Sequence, residues 1–408
     1  MKKNGVISFL KLTSYWFWVN FLWGAMLSIV IPSQVSYIVG GDSKSSALGT
    51  VLAIGAVVAM ITQPIFGSLS DSSKLRMGRR RPFMILGSLM CLPAFLIMAA
   101  TKNFAVYCVG FLLLQLFANI GIAGYQGLIP DTVEQKDRGT AASFMGGMTF
   151  LGTIAGILVS GSFADAHEYS LIYIILVLIL IVCTLITVLG VHEERMETQE
   201  SFSFKSFAGK LVAVPREHPD FMWMLVSSFF MMLGFYLLYF YQQYYISDIL
   251  GSKHPATDTT YLNTIIIIGA AVVSVLAGKI SDRFGRKAIV ALSAVCMGAL
   301  AVTLALHASF NAILIIAVVF GFGYGGYTSV QWALVTDILP GTDDSGKDLG
   351  IWGISCTMPQ IVGPLIGGSL ISAFKGTNIF YGYRLMYIIV ILSLGAGGAL
   401  VYRIKNAK

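Results

Sequence analysis

Amide and aromatic side chains recur at helical spacing inside long apolar segments of this sequence. In the segment 104–129, Gln115, Asn119 and Gln126 lie at positions that share one helix face. Polar side chains within such segments are costly in a bilayer and usually face a cavity or a partner. The candidate lining residues are Asn20, Trp23, Gln34, Gln115, Asn119, Gln126, Tyr236, Tyr239, Gln242, Gln243, Tyr324, Gln331 and Gln360.

This combination of residue types predicts a binding site for a neutral polyol such as a sugar. Amides donate hydrogen bonds to hydroxyl groups and accept them, and aromatic rings pack against the apolar face of a pyranose. A second interpretation stays open, in which the amides join helices to each other and the rings form a belt at the membrane surface. The 17 methionines would also suit an apolar cargo.

Few acidic residues are placed to carry a proton across a membrane. Asp131 follows Pro130 at the end of one apolar segment, and Asp337 is its counterpart in the second half of the chain. The five histidines all fall in loops or at segment ends. A buried carboxylate can gain and lose a proton in each cycle, so we expect these two aspartates to be proton-coupling residues. The alternative is a helix-end carboxylate that pairs with Arg138 or another base.

The composition requires a membrane to surround these residues. Hydrophobic residues make up 56% of the 408 residues and charged residues only 12%, about half the charged share of a soluble domain. The same figures exclude a disordered chain and a secreted disulfide scaffold. We predict an all-α membrane protein with twelve transmembrane helices in two pseudo-symmetric six-helix bundles.

Twelve apolar segments are long enough to span the hydrocarbon as helices. A polar stretch at 191–219 divides the chain, which predicts an N-terminal bundle at 1–190, a central cytoplasmic loop and a C-terminal bundle at 220–408. The segments are 14–38, 46–69, 82–100, 104–129, 139–164, 169–190, 220–247, 260–281, 288–307, 310–336, 349–373 and 379–402.

The distribution of basic residues predicts the orientation of these helices. With both termini inside, 22 of the 27 lysines and arginines fall on the inner side, as the positive-inside rule requires. We therefore expect a multi-pass protein of the plasma membrane with both termini in the cytoplasm. A lipid bilayer and a small-molecule substrate are the expected partners, nucleic acid is not one, and the protein is expected to be a monomer.

The two halves of the sequence are related. GSLSD at 67–71 matches GKISD at 278–282, an offset of 211 residues. Two glycine pairs share this offset, Gly152 with Gly363 and Gly156 with Gly367. Parallel repeats of this kind predict a pseudo-two-fold axis along the membrane normal and a substrate site between the halves.

Two loops carry a recognisable signature. GSLSDSSKLRMGRRRPF (67–83) and GKISDRFGRK (278–287) resemble the loop between helices 2 and 3 of the major facilitator superfamily and its echo in the second half. The first version is similar to that of sucrose–proton symporters and related sugar:cation symporters. The stretches 124–144 and 333–368 are similar to bacterial members of that branch. Asp131 matches an acidic residue of the sucrose–proton symporters, although the arginine beside it in the plant proteins is missing here.

The resemblance implies the major facilitator fold and secondary active transport by alternating access, with proton-coupled symport of a neutral sugar or glycoside as the expected activity. It further implies that the loop signature latches the two halves in one state, whereas plain topogenic charge is the alternative for the arginines. No cofactor is expected besides an ion gradient, taken to be of protons. The expected gating residues are Gly67, Asp71, Arg79, Arg80, Arg81, Asp282, Arg283 and Arg286.

Other functions receive less support from the sequence. Drug:proton antiporters of this superfamily carry GPxxGG in helix 5, whereas here 152–156 reads GTIAG and GPLIGG lies at 363–368. Efflux of a drug or metabolite, or uncoupled facilitated diffusion, remains the alternative on the same fold. The chain contains no P-loop, no HExxH and no Cys/His ligand spacing, so we expect neither an enzyme nor a metal site.

Overall fold

The apolar segments form helices in the computed structural model, which describes residues 5–73, 75, 77–193, 218–338 and 345–405. Within these ranges the regular secondary structure is helical, and no strand is present. A helix satisfies its own backbone hydrogen bonds, which a segment inside the hydrocarbon cannot otherwise do. Twelve of the described helices are long and apolar enough to cross a membrane. The prediction of an all-α membrane protein with twelve such helices is confirmed.

The first half contains six of these helices. Helix α1 comprises Val6–Ala25, a five-residue π-helical turn at Met26–Val30, and Ile31–Val39. The others are α2 (Lys44–Asp71), α3 (Arg81–Ala100), α4 (Phe104–Thr132), α5 (Arg138–Asp165) and α6 (Tyr169–Gly190).

The second half contains the other six. Helix α11 is formed by two segments, Ser345–Thr357 and Pro359–Ala373. The remaining helices are α7 (Pro219–Asp248), α8 (Pro255–Phe284), α9 (Arg286–Ala305), α10 (Phe310–Asp337) and α12 (Ile379–Leu400). Most of the predicted central loop at 191–219 lies outside the described residues.

Helix α1 begins eight residues before the predicted start at 14. Its first turns pack on α6, where Thr187 Oγ1 donates to the Lys11 carbonyl at 2.9 Å and accepts from the Tyr15 N–H at 3.1 Å. The aliphatic part of Lys11 lies against Gly190, where a side chain would clash. Helical structure therefore extends beyond the predicted apolar segment 14–38, through a stretch that contains Lys11, because the stem of a lysine can cover apolar surface.

The described residues group into two compact units. Unit 1 contains those within Met1–Val39 and Ile54–Phe202, and unit 2 contains those within Gly40–Ala53 and Ser203–Lys408. The first turns of α2 thus group with the second half of the chain. The predicted division at 191–219 stays a prediction.

The internal repeat is visible in the packing inside each unit. In unit 1, α1 packs on α5 and α6, and α3 packs on α4 and α6. In unit 2 the same pairings recur, α7 with α11 and α12, and α9 with α10 and α12. Glycine permits the closest of these approaches, because a Cβ at Gly156 would lie 2.2 Å from the Phe21 carbonyl oxygen.

Candidate functional site

A buried cluster of opposite charges joins the loop before α3 to the end of α4. Arg79 contacts Asp131 through Nε at 2.9 Å and through Nη2 at 2.5 Å, so the pair is bidentate. Arg80 Nε donates to the same carboxylate at 2.8 Å. Only 9% of the Asp131 side chain is exposed. The predicted alternative, an ion pair at a helix end, is therefore present, with Arg79 and Arg80 as the partners and not the side chain of Arg138.

Arg80 extends the cluster to the end of α2. Its Nη2 contacts Asp71 at 2.5 Å, and its Nη1 donates to Ser70 Oγ at 3.1 Å. The guanidinium lies directly over Gly127, where a Cβ would be 2.1 Å from Arg80 Cζ. The planar guanidinium of Arg80 thus bonds to the ends of both α2 and α4. The single ammonium group of a lysine could not do this in the same way. We call Asp71, Arg79, Arg80 and Asp131 the first-half cluster.

The second half has a smaller equivalent. Arg286, at the start of α9, forms an ion pair with Asp337 at the end of α10, and it also donates to the Ala333 carbonyl at 2.6 Å. The Asp337 side chain is 38% exposed and that of Arg286 is 21% exposed. We call Arg286 and Asp337 the second-half pair.

The other predicted gating residues make fewer contacts. Gly67 has open space where a side chain would be, and Arg81 offers its main-chain N–H to Glu193 at 3.5 Å. Arg283 lies over the ring of Phe284 at 5.7 Å. The side chain of Asp282 lies outside the described part of the chain.

The charge state of Arg79 follows from these contacts. The hydrogen bond to Asp131 is the largest influence and raises the pKa of the Arg79 guanidinium, partial burial opposes it, and the charges of Asp131, Asp71 and Glu193 add to the rise. Arg79 therefore remains cationic throughout the pH range of a cell.

Part of the predicted lining forms a hydrogen-bond chain in unit 1. Gln63 Nε2 donates to Asn119 Oδ1 at 2.7 Å, and Asn119 Nδ2 donates to Gln115 Oε1 at 3.1 Å. Gln126, on the same helix, is exposed. Asn20 donates to the Trp16 carbonyl one turn earlier at 2.7 Å. Trp23 is half-buried.

A π-helical turn separates Gln34 from Asn20 and Trp23, the other predicted lining residues of α1. The π-helical turn closes with a bond from the Ile31 N–H to the Met26 carbonyl, which inserts one residue into the helical repeat. One residue corresponds to about 100° of rotation. Gln34 is accordingly buried in unit 1, where it donates to the Met98 carbonyl at 2.7 Å and accepts from Tyr173 Oη at 2.6 Å. These contacts favour the interhelical role.

Stacked aromatic rings form the corresponding region of unit 2. Phe235 stacks on Tyr324 with ring centroids 4.6 Å apart and on Tyr239 at 5.3 Å. Beside them, Gln360 Nε2 donates to Tyr236 Oη at 2.8 Å. Phe235 is absent from the predicted set because an apolar residue in an apolar helix gives no signal in the sequence. We call these five residues the aromatic–amide cluster.

The remaining predicted amides bond within unit 2. Gln331 Nε2 donates to Ser228 Oγ at 3.3 Å and lies 3.4 Å from Cys356 Sγ. Gln242 Nε2 donates to Asn263 Oδ1 at 2.9 Å. The side chain of Gln243 is buried.

One charged group in unit 2 went unrecognised in the sequence. Lys44 forms an ion pair with Asp248 and lies over the Tyr244 ring, 4.7 Å from its centroid. Tyr383 Oη donates to the other oxygen of Asp248 at 2.8 Å. Both charged side chains are largely buried. The only signal in the sequence for this ion pair was that Lys44 and Asp248 lie at the ends of apolar segments. Charged residues are common at such ends, so their position did not distinguish them.

Comparison with known proteins agrees with this architecture. The sequence model of the MFS/sugar transport protein family matches residues 22–376. An uncharacterized MFS-type transporter, YuxJ of Bacillus subtilis, is 22% identical over 89% of this chain and 92% of its own. A multi-drug resistance efflux pump PmrA homolog of Lactococcus lactis is 21% identical over 89% of this chain and 90% of its own.

The fold is also found among solved structures. The crystal structure of a point mutant of the nucleoside transporter NupG superposes with a TM-score of 0.76 at 13% identity, covering 97% of this chain and 98% of that one. The chain belongs to the MFS/sugar transport protein family and is a multi-pass membrane transporter. Proteins of this family and fold are transporters and not enzymes.

Proposed function

We propose that this transporter carries a neutral sugar or glycoside together with a proton by alternating access. We propose further that it acts as a monomer in the plasma membrane with both termini in the cytoplasm. The family's description as MFS/sugar transport proteins supports the substrate class. The excess of basic residues on one side supports the orientation.

The aromatic–amide cluster is the observation that carries the substrate class. It presents several ring faces beside an amide and a phenol, and each of its five side chains is uncharged. Ring faces match the C–H face of a pyranose, and the amide and phenol match its hydroxyl groups. A charged substrate would need an opposite charge at this point.

The coupling proposal rests on the first-half cluster. Both arginines pair with Asp131 in this structure. We therefore assign proton uptake by Asp131 to a state in which Arg79 and Arg80 have moved away from it. Asp337 has the equivalent position, but its exposure leaves it in contact with water, and we assign it a smaller share.

Uptake into proteoliposomes tests the proposal. Labelled sucrose, maltose and other glycosides are offered under an inward proton gradient, with and without a protonophore. Accumulation that the protonophore abolishes is the expected result. Equilibration without accumulation would indicate a facilitator or another coupling ion. If no sugar moves in folded protein, the substrate proposal is wrong.

A pair of variants tests the cluster itself. Gln360→Ala removes the amide beside Tyr236 and should lower the uptake rate of the sugar at least tenfold, about the loss of one hydrogen bond to a well-held substrate. Gln135→Ala removes an exposed amide between α4 and α5 and should leave uptake unchanged. Equal uptake by both variants would place the substrate elsewhere.

Efflux is the second candidate function. The PmrA homolog, named as a multi-drug resistance efflux pump, aligns with most of this chain. Against it stands α5, which lacks the GPxxGG pattern of drug:proton antiporters. Accumulation of a cationic dye in inverted vesicles, with no sugar uptake in proteoliposomes, would favour efflux.

A further inference from the structure

The start of α3 binds a carboxylate from the chain that follows α6. Glu193 Oε1 accepts hydrogen bonds from the main-chain N–H groups of Arg79 and Arg80, both at 2.9 Å. Its Oε2 accepts from the N–H of Arg80 at 3.2 Å and from that of Arg81 at 3.5 Å. Main-chain donors at a helix start lack partners within the helix and favour an anion. One carboxylate thus serves three successive donors.

The glycine of the GRRRPF stretch makes room for this carboxylate. Gly78 has a φ of +102°, which side chains other than hydrogen rarely adopt. A Cβ at Gly78 would also lie 2.2 Å from Glu193 Oε2. The backbone conformation therefore favours glycine, and a Cβ at this position would displace the Glu193 carboxylate.

The residues that Glu193 holds by their main chain are those that hold Asp131 by their side chains. Arg79 and Arg80 direct their guanidinium groups to Asp131 while their N–H groups bond to Glu193. A guanidinium sits at the end of a long flexible stem, so its geometry depends on how firmly its backbone is held. A hydrogen bond to a carboxylate is about twice as strong as one between neutral groups.

We infer that Glu193 is a positioning residue, which orients Arg79 and Arg80 on Asp131 and attaches the first residues after α6 to the first-half cluster. The inference does not depend on which substrate is carried. Its consequence for transport rests on the proposed role of Asp131, so the tests below measure the geometry without any substrate.

The second half shows that this attachment is particular to unit 1. Ile404 stands 211 residues after Glu193, at the offset of the repeat. Ile404 offers its carbonyl oxygen to Lys287 Nζ at 2.6 Å. In unit 2, the segment after the last helix thus accepts a hydrogen bond from a lysine side chain. In unit 1, the equivalent segment accepts hydrogen bonds from the main chain of Arg79 and Arg80.

Hydrogen exchange on the purified full-length protein tests the contact directly. In Glu193→Ala, the amides of residues 79–81 should exchange about tenfold faster than in the parent, because they lose a charged acceptor. Glu193→Gln keeps one acceptor oxygen and should recover part of the protection. The matched control is Glu134→Ala, which removes an exposed carboxylate of the same unit and should leave these amides unchanged.

A double-mutant cycle tests whether Glu193 acts through the arginines. The loss of thermal stability in Glu193→Ala should be clearly smaller when Asp131→Asn is already present, since the two sites then share one function. Additive losses would overturn the positioning role and leave a merely structural contact. Unchanged exchange at residues 79–81 in both Glu193 variants would overturn the inference as a whole, whatever the proteoliposomes show about sugar.

Discussion

The first-half cluster and the second-half pair occupy equivalent places in the repeat but differ in burial and in the number of partners. Asp131 has two arginines and is 9% exposed, whereas Asp337 has one and is 38% exposed. Asp337 lies 206 residues after Asp131, and Arg286 lies 206 residues after Arg80, so the shared element is the Arg80–Asp131 contact. The residue at the position equivalent to Arg79 is Gly285. The second-half pair therefore lacks a second arginine.

The difference indicates how the two halves divide their work. A buried carboxylate with two cations loses much when one partner is removed, because the remaining charge is left without compensation. An exposed pair is screened by water and salt and contributes little. We therefore expect substitutions in the first-half cluster to change the transport cycle and those in the second-half pair to be tolerated.

The largest effect is expected from the aspartates. Asp131→Asn should abolish gradient-driven accumulation of the substrate and preserve counterflow exchange, because it removes the carboxylate that we propose as the proton acceptor. Asp337→Asn should retain accumulation within about twofold, as expected for an exposed pair. Both are measured in proteoliposomes. Full accumulation by Asp131→Asn would contradict the coupling assignment.

The next comparison is between Gly78, which precedes Arg79, and Gly285, which precedes Arg286. Gly78 and Gly285 both have positive φ, +102° and +88°, so alanine should cost about 1–3 kcal/mol of stability at either place. Gly78→Ala should cost more than Gly285→Ala, because it also displaces the Glu193 carboxylate. Thermal unfolding in detergent measures both, and equal losses would remove the distinction between the loops.

Exchanging arginine for lysine keeps the positive charge but changes the number and geometry of the hydrogen-bond donors, so it tests the two contributions separately. Arg80→Lys keeps the charge but cannot reach Asp71, Asp131 and Ser70 together, so the turnover rate should fall several-fold with the substrate affinity unchanged. Arg286→Lys should have little effect, since it serves a single carboxylate. A selective loss of affinity in Arg80→Lys would indicate substrate binding and not gating.

The smallest effect is expected at an exposed pair near Asp131. The hydrogen bond from Lys136 lowers the pKa of Glu134. Any stabilisation of the fold by this pair is therefore present above the pKa that Glu134 has in the unfolded chain, and it is lost as the pH falls through the pKa of Glu134 in the folded protein. Water screens this exposed pair. Glu134→Gln should therefore leave the unfolding temperature unchanged at neutral pH, and a clear change would show that exposure is a poor guide to the strength of these pairs.

Helix number and position were predictable because a bilayer selects long apolar segments. The repeat was predictable because matching residues recur at one offset, and the packing inside the two units follows it. The start of α1 was wrong because the Lys11 stem packs on α6, a contact between residues far apart in the chain.

The contacts of the predicted site residues depended on features that spacing does not reveal. Asp131 has no arginine beside it in the sequence, yet Arg79 and Arg80, which precede α3, both form ion pairs with it at the end of α4. Glu193 and Gln63 were missed because their partners lie far away in the sequence, in the loop before α3 and in α4. Aromatic residues of α7 were found, but their stacking on Phe235 required the packed structure.

The π-helical turn at Met26–Val30 makes α1 a helix with two orientations along its length. Before the turn, Asn20 follows one face, and after it Gln34 is anchored to α3 and α6. A single-residue deletion within the turn is thus an unusually informative edit. It would remove the inserted residue and restore an unbroken 3.6-residue repeat, with Asn20 and Gln34 keeping their present orientations. The same residues wound as α-helix without a deletion would instead turn Gln34 by about 100°, towards the line of Asn20.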